Sequence, residues 1–110
     1  MRSNRDEFDL DDFGRFSEPA LLVLVSLSDE PKHGYAMTDD IEAMTGVRLG
    51  PGTLYGAITR LESRGLIERL ESNDRRNPYQ LTALGERALR ARLHAIETVT
   101  KVARRRLATV

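Results

Sequence analysis

Beyond Gly85 the chain runs to Val110 without another glycine or a proline. Nothing in that stretch stops a helix, so one that begins at Thr82 is predicted to continue to about Leu107. Such a helix outruns the diameter of a small domain, which about twenty helical residues already span. Along it Leu89, Leu93, Ile96, Thr100, Ala103 and Leu107 step by four and three residues and fall on one apolar seam. A chain of 110 residues builds one modest core, and a single small domain cannot cover the whole seam. Residues 82–110 are therefore expected to pair with a second copy of the chain, giving a homodimer.

Composition narrows the chemistry. The sequence has no cysteine, which removes disulfides, thiolate metal sites and cysteine nucleophiles together and agrees with a reducing compartment. The longest apolar run, ALLVLV at residues 20–25, is too short to span a bilayer. The acidic start MRSNRDEFDLDD lacks the basic end and apolar stretch of a signal peptide. A soluble, cytoplasmic protein with no membrane partner is expected. Seventeen basic and seventeen acidic side chains cancel overall, but they are segregated. Residues 1–47 carry four basic and eleven acidic groups, a net −7, and residues 48–110 carry thirteen and six, a net +7. Such asymmetry points to a polyanionic partner, although solvated charged helices produce it too.

Glycine and proline punctuate the rest. Residues 1–16 are polar and acidic, with Phe8, Leu10, Phe13 and Phe16 spaced so that some can dock on a core, and read as an arm or one short helix. Ser17 is a candidate N-cap, Pro19 suits a first turn, and an apolar helix ends near Leu27 before the breaker DEPKHG. A second helix sets Met37, Ile41 and Met44 on one stripe and stops at Gly46. A third opens at Gly50 and Pro51, runs to about Arg64 and closes at Gly65. LIERLES and NPYQL, joined by the turn residues NDRR, form a hairpin with a polar, arginine-bearing loop. The expected fold is mainly α with a small β-hairpin wing. A winged helix-turn-helix occupies residues 17–81, and the long C-terminal dimerisation helix follows.

The third helix lies in the stretch GPGTLYGAITRLESRGL, residues 50–66, which admits two chemical readings. It approaches the dinucleotide fingerprint G-x-G-x-x-G, with Glu71 about where that motif wants an acid. But Gly56 comes one position late, and the chain lacks the parallel strands of a dinucleotide-binding crevice. Wound at about 100° per residue, the same stretch places Leu54, Ile58 and Leu61 on one side with Ala57 beside them. The opposite side collects Gly52, Gly56, Thr59, Arg60 and Ser63, which is small, hydroxylic and basic. Small residues let a helix sink into a groove about 12 Å wide, while Arg and Thr donate to base edges and phosphates. An amphipathic helix with a merely solvated side is the plainer alternative.

From HGY at residue 33 to GERAL ending at residue 89, the sequence resembles the PadR family of bacterial transcriptional regulators. The likeness is carried by His33, Gly34 and Tyr35, by Pro51 to Tyr55, and by Arg60 to Glu62 with Gly65 to Ile67. Tyr79, Leu81, Thr82 and Gly85 complete it, and it extends over roughly residues 18–90. Gly50 and Gly56 stand where the family often has serine and proline. Pro78 replaces what is often an aromatic residue, so a free edge is expected on the second wing strand. The resemblance implies a dimeric DNA-binding regulator, usually a repressor, with the third helix in the major groove and the wing on the flanking backbone. Its length is similar to that of the short branch with a single C-terminal helix. The residues expected at a two-fold related DNA operator are Tyr35, Gly52, Thr53, Tyr55, Gly56, Thr59, Arg60, Ser63, Arg75 and Arg76. A winged-helix module that binds a protein through the same face is the rival.

Other residues read more quietly. His33 and His94 lack companions for a metal site, and His33 is expected to shape the turn into the second helix. Asp39 and Asp40 point about 100° apart on a helix, which does not converge them as a catalytic pair; a solvated face is expected. No catalytic residue, cofactor or metal is assigned. The resemblance leaves a small-molecule effector open, since family members respond to aromatic compounds near the dimer helix. Residues 80–110 contain no Trp, Tyr or Phe to stack on a flat ring. Phe8, Phe13 and Phe16 are the remaining aromatic candidates for such a site, with core filling the commoner use.

Overall fold

The computed structural model describes residues 18–73 and 76–109. The arm, the candidate cap Ser17 and the loop residue Arg75 lie outside the described residues. Helix α1 spans Pro19–Ser26, α2 Gly34–Thr45, α3 Pro51–Ser63 and α4 Ala83–Ala108, with strands β1 Ile67–Arg69 and β2 Tyr79–Leu81 between the last two helices.

The helices start and stop where their punctuation directs. Pro19 and Pro51 each open a helix at its first turn, where the missing N–H leaves no bond unmade. The cap position of α1 belongs to Glu18, which makes no side-chain cap bond. His33 caps α2, its Nδ1 accepting from the Ala36 N–H at 3.3 Å. Gly46 and Gly65 follow α2 and α3 with φ of 79° and 76°, left-handed values that residues with a Cβ adopt only at a cost.

One core joins these elements. Val23, Leu24 and Leu27 meet Met37 and Ile41, the inner face of α3 (Leu54, Ala57, Ile58, Leu61), Ile67, Tyr79 and Leu89. Met44 departs from its expected stripe: it is 46% exposed, because the last turn of α2 extends past the packed layer. Lys32 bridges the side of the core. Its ammonium donates to the Ser26 carbonyl and to Asp29, both at 2.5 Å, and lies 4.0 Å from Asp40, which accepts from the Ser26 hydroxyl at 2.7 Å. The Lys32 hydrogen bond holds the Asp29 carboxyl below the usual carboxylate range. Asp40 is thus a partner in a tertiary network, and Asp39 accepts from Arg48 at 3.1 Å. Asp39 stays on the exposed face expected of it, whereas Asp40 is half-buried.

The wing is shorter than LIERLES and NPYQL suggest. Its antiparallel register pairs Ile67 with Leu81, Glu68 with Gln80 and Arg69 with Tyr79. Proline has no N–H to extend the ladder, although the Pro78 carbonyl still accepts from the Leu70 N–H at 2.8 Å. The edge beyond β2 is occupied at Tyr79. Lys32, inside the expected breaker, exchanges both backbone bonds with Tyr79 at 2.9 and 3.1 Å, which ties the turn before α2 to the wing.

Helix α4 is anchored by its first turn. The Thr82 hydroxyl accepts from the Gly85 N–H at 3.0 Å and donates to the Gly65 carbonyl at 2.6 Å, while the Thr82 N–H reaches the Leu66 carbonyl at 3.1 Å. Gly85 sits against that same Leu66 carbonyl, so closely that a Cβ would overlap it. The end of α3 and the start of α4 are therefore one joint. Beyond Arg92, α4 is exposed apart from the partly covered Val102. No helix among the described residues is long and apolar enough to cross a membrane.

Candidate nucleic-acid interface

The outward face of α3 presents Gly52, Thr53, Tyr55, Thr59, Arg60 and Ser63 exposed, with Gly56 half-buried. Burial of Leu54, Ala57, Ile58 and Leu61 sets this orientation, because a helix that commits one stripe to the core turns the rest outward. Neither Gly52 nor Gly56 is needed inside the molecule. A Cβ at Gly52 meets nothing within 4 Å, and one at Gly56 meets only the Arg60 guanidinium at an ordinary 3.6 Å. Glycine in a helix costs about 0.5–1 kcal/mol relative to alanine, so the two glycines lower the surface at a cost to the helix. No acceptor among the described residues engages the Arg60 guanidinium. The Ser63 hydroxyl donates to the Arg60 carbonyl at 2.9 Å, which leaves it an acceptor for anything outside.

Beside this face lies a cleft of about 270 Å³ lined by His33, Gly34, Tyr35, Tyr55, Arg69, Arg76, Asn77 and Tyr79. It brings Tyr35, Tyr55 and Arg76 together from α2, α3 and the wing. Tyr55 folds back over the start of α2, and Gly34 makes this contact possible: a Cβ there would overlap the phenol oxygen. Arg69 reaches the cleft from β1. Its guanidinium donates to the Tyr79 hydroxyl at 3.1 Å, lies 5.4 Å from the centre of that ring and stands 3.9 Å from Glu62. Arg48 stands at the other side, 6.0 Å from the Tyr35 ring. Glu42 and Asp39 accept from it at 2.7 and 3.1 Å and, in that order, strengthen its hold on the proton.

Arg48, Arg69 and Asn77 were not among the residues expected from sequence. The positive charge of residues 48–110 was the available signal for the two arginines, but it does not tell which cations share a face.

The seam assigned to α4 divides. Leu89 is 5% exposed and fills the chain's own core, whereas Leu93, Ile96, Thr100, Ala103 and Leu107 are exposed, Leu107 at 75%. The stripe open to another molecule therefore begins at Leu93.

Residues 23–91 match the transcriptional regulator PadR-like family. Transcriptional regulator Rv3488 of Mycobacterium tuberculosis is 32% identical over 84 residues, which is 74% of this chain and 78% of that protein. An uncharacterized 37.1 kDa protein in transposon TN4556 of Streptomyces fradiae is 44% identical over 82 residues, 74% of this chain. The match spans only 24% of that relative's length. Among solved structures, a PadR family transcription regulator from Clostridium difficile R20291 aligns with a TM-score of 0.74 at 26% identity, over 81% of this chain and 97% of that one. The helix order, the hairpin and the matched span together make this chain a member of the PadR-like family of winged-helix, DNA-binding transcription regulators.

Proposed function

We propose that the chain works as a homodimer that sets two α3 helices into successive major grooves of a two-fold related DNA operator and represses transcription by occupying it. The observation that carries this reading is the outward face of α3, which keeps two glycines with no internal reason for them beside an unengaged arginine. Such a surface suits close approach to a groove floor. In this reading Arg60 and Thr59 reach base edges. Tyr35, Tyr55 and Arg76 hold the phosphates of the flanking backbone from the cleft, and Arg75 is assigned the same role. The seam from Leu93 to Leu107 closes the dimer and sets the two helices about 34 Å apart, one turn of DNA.

Selection of bound fragments from random DNA by the purified protein, followed by salt titration on the selected site, tests this. A recovered inverted repeat and a log affinity that falls linearly with log salt are expected, with a slope near one unit per phosphate contact. Replacing Arg75 and Arg76 together by alanine should flatten that slope by up to about 2. Enrichment of no sequence and a salt-insensitive affinity would assign the α3 face to a protein partner instead.

A further inference from the structure

The wing carries a cation on its inward side. Successive side chains of a strand alternate between two faces, so Arg69 shares the face of β1 that buries Ile67. Glu68 takes the opposite face, where its carboxylate accepts from the Gln80 amide at 2.7 Å. Arg69 leans on Tyr79, its partner across the ladder. That tyrosine is a fixed post: its ring belongs to the core, and its backbone is bonded to Lys32 on one side and paired with β1 on the other. The guanidinium resting on it is half-exposed and lines the cleft.

Partners separate Arg69 from Arg48, the arginine beside the Tyr35 ring. Two carboxylates accept from Arg48, Glu42 at 2.7 Å and Asp39 at 3.1 Å, so two negative charges already meet its single positive one. Arg69 instead donates to a neutral hydroxyl, that of Tyr79, at 3.1 Å. The one carboxylate paired with it among the described residues, Glu62, stands 3.9 Å away, beyond a good hydrogen bond. A guanidinium has five N–H donors in a rigid fork. Tyr79 engages one and fixes the plane of the fork, and no other acceptor among the described residues engages the rest.

We propose that Arg69 binds one backbone phosphate of the operator in the cleft, and that the Tyr79 hydroxyl is the positioning residue that aims it there. The inference rests on the reading of α3 as a groove-binding helix and adds a contact to it. A phosphate in the cleft meets a cation whose charge is not yet neutralised and whose donors are already oriented, which favours a charge-assisted pair. It also meets the phenols of Tyr35 and Tyr55. Arg48, tied to its two carboxylates, serves the turn between α2 and α3 instead. The inward cation of β1 thus joins the wing to the phosphate path beside α3.

Affinity of the full-length protein for the selected operator, measured against salt, tests the contact. Arg69→Gln should weaken all duplex sequences alike and flatten the slope of log affinity against log salt by about 0.9. Arg69→Met, which keeps an unbranched stem on the Tyr79 ring, should do the same. Arg90→Gln removes an equal charge from α4, where Glu86 holds it at 2.8 Å, and should leave the slope unchanged. Tyr79→Phe keeps the ring and removes the hydroxyl. It should weaken binding by about 2- to 12-fold in the wild-type chain and not at all beside Arg69→Gln, a dependence that lost packing alone would not produce. An unaltered slope in both Arg69 variants, a changed base preference, an equal loss with Arg90→Gln, or a Tyr79→Phe effect that persists beside Arg69→Gln would each overturn the proposal while leaving the reading of α3 intact. A wild-type protein that enriches no sequence and binds without regard to salt would overturn both.

Discussion

Replacing Gly56 by alanine should move stability and DNA binding in opposite directions. Gly56 lies in the interior of α3, where alanine is favoured over glycine by about 0.5–1 kcal/mol because it restricts the unfolded chain and solvates less backbone. The new methyl has room: outside the backbone of α3 itself, the one neighbour within 4 Å among the described residues is the Arg60 guanidinium at 3.6 Å, the movable end of a long side chain. Folding should therefore gain nearly the whole propensity difference, raising Tm by about 2–8 °C for a domain of this size. In the proposed complex the same methyl stands between α3 and the groove. Forcing one carbon into a closely packed contact costs about 1–3 kcal/mol, equivalent to a loss of about 5- to 150-fold in Kd. A thermal melt and fluorescence anisotropy with the selected operator, run on one preparation at fixed salt, read both effects. A variant that is more stable and binds DNA as tightly as before would refute the account of the α3 glycines.

Gly85→Ala should do the reverse, since its methyl overlaps the Leu66 carbonyl; a loss of about 1–3 kcal/mol is expected in urea unfolding, and wild-type stability would mean that the joint between α3 and α4 yields easily. Arg60→Ala should weaken operator binding by about 1–3 kcal/mol and relax preference at one base position, read by repeating the fragment selection; an unchanged affinity and base preference would remove Arg60 from the groove. Leu93→Glu with Ile96→Glu should give monomers by sedimentation and abolish tight binding to the full operator, because carboxylates oppose burial of the seam. A dimer that still binds tightly would place association elsewhere.

The elements of this protein were legible in its sequence because the forces that bound them are local. Pro19, Pro51, Gly46, Gly65 and Thr82 act on backbone groups within one helical turn, so each marks a boundary whatever the remainder of the chain does. The apolar spacing of Leu54, Ile58 and Leu61 likewise decided which side of α3 faces outward. Tertiary structure decided everything that depends on residues far apart in the chain. Lys32 pairs with Tyr79, the Tyr55 ring needs the bare backbone of Gly34, and Gly85 rests on Leu66. In each case the partner is set by how whole elements pack, about which periodicity is silent. The same holds for Arg69 joining Tyr35, Tyr55 and Arg76 at one cleft. It holds too for Leu89, whose spacing matches the seam but whose place near the anchored start of α4 puts it in the core. Periodicity says that a residue is apolar-facing; only packing of the complete chain says what it faces.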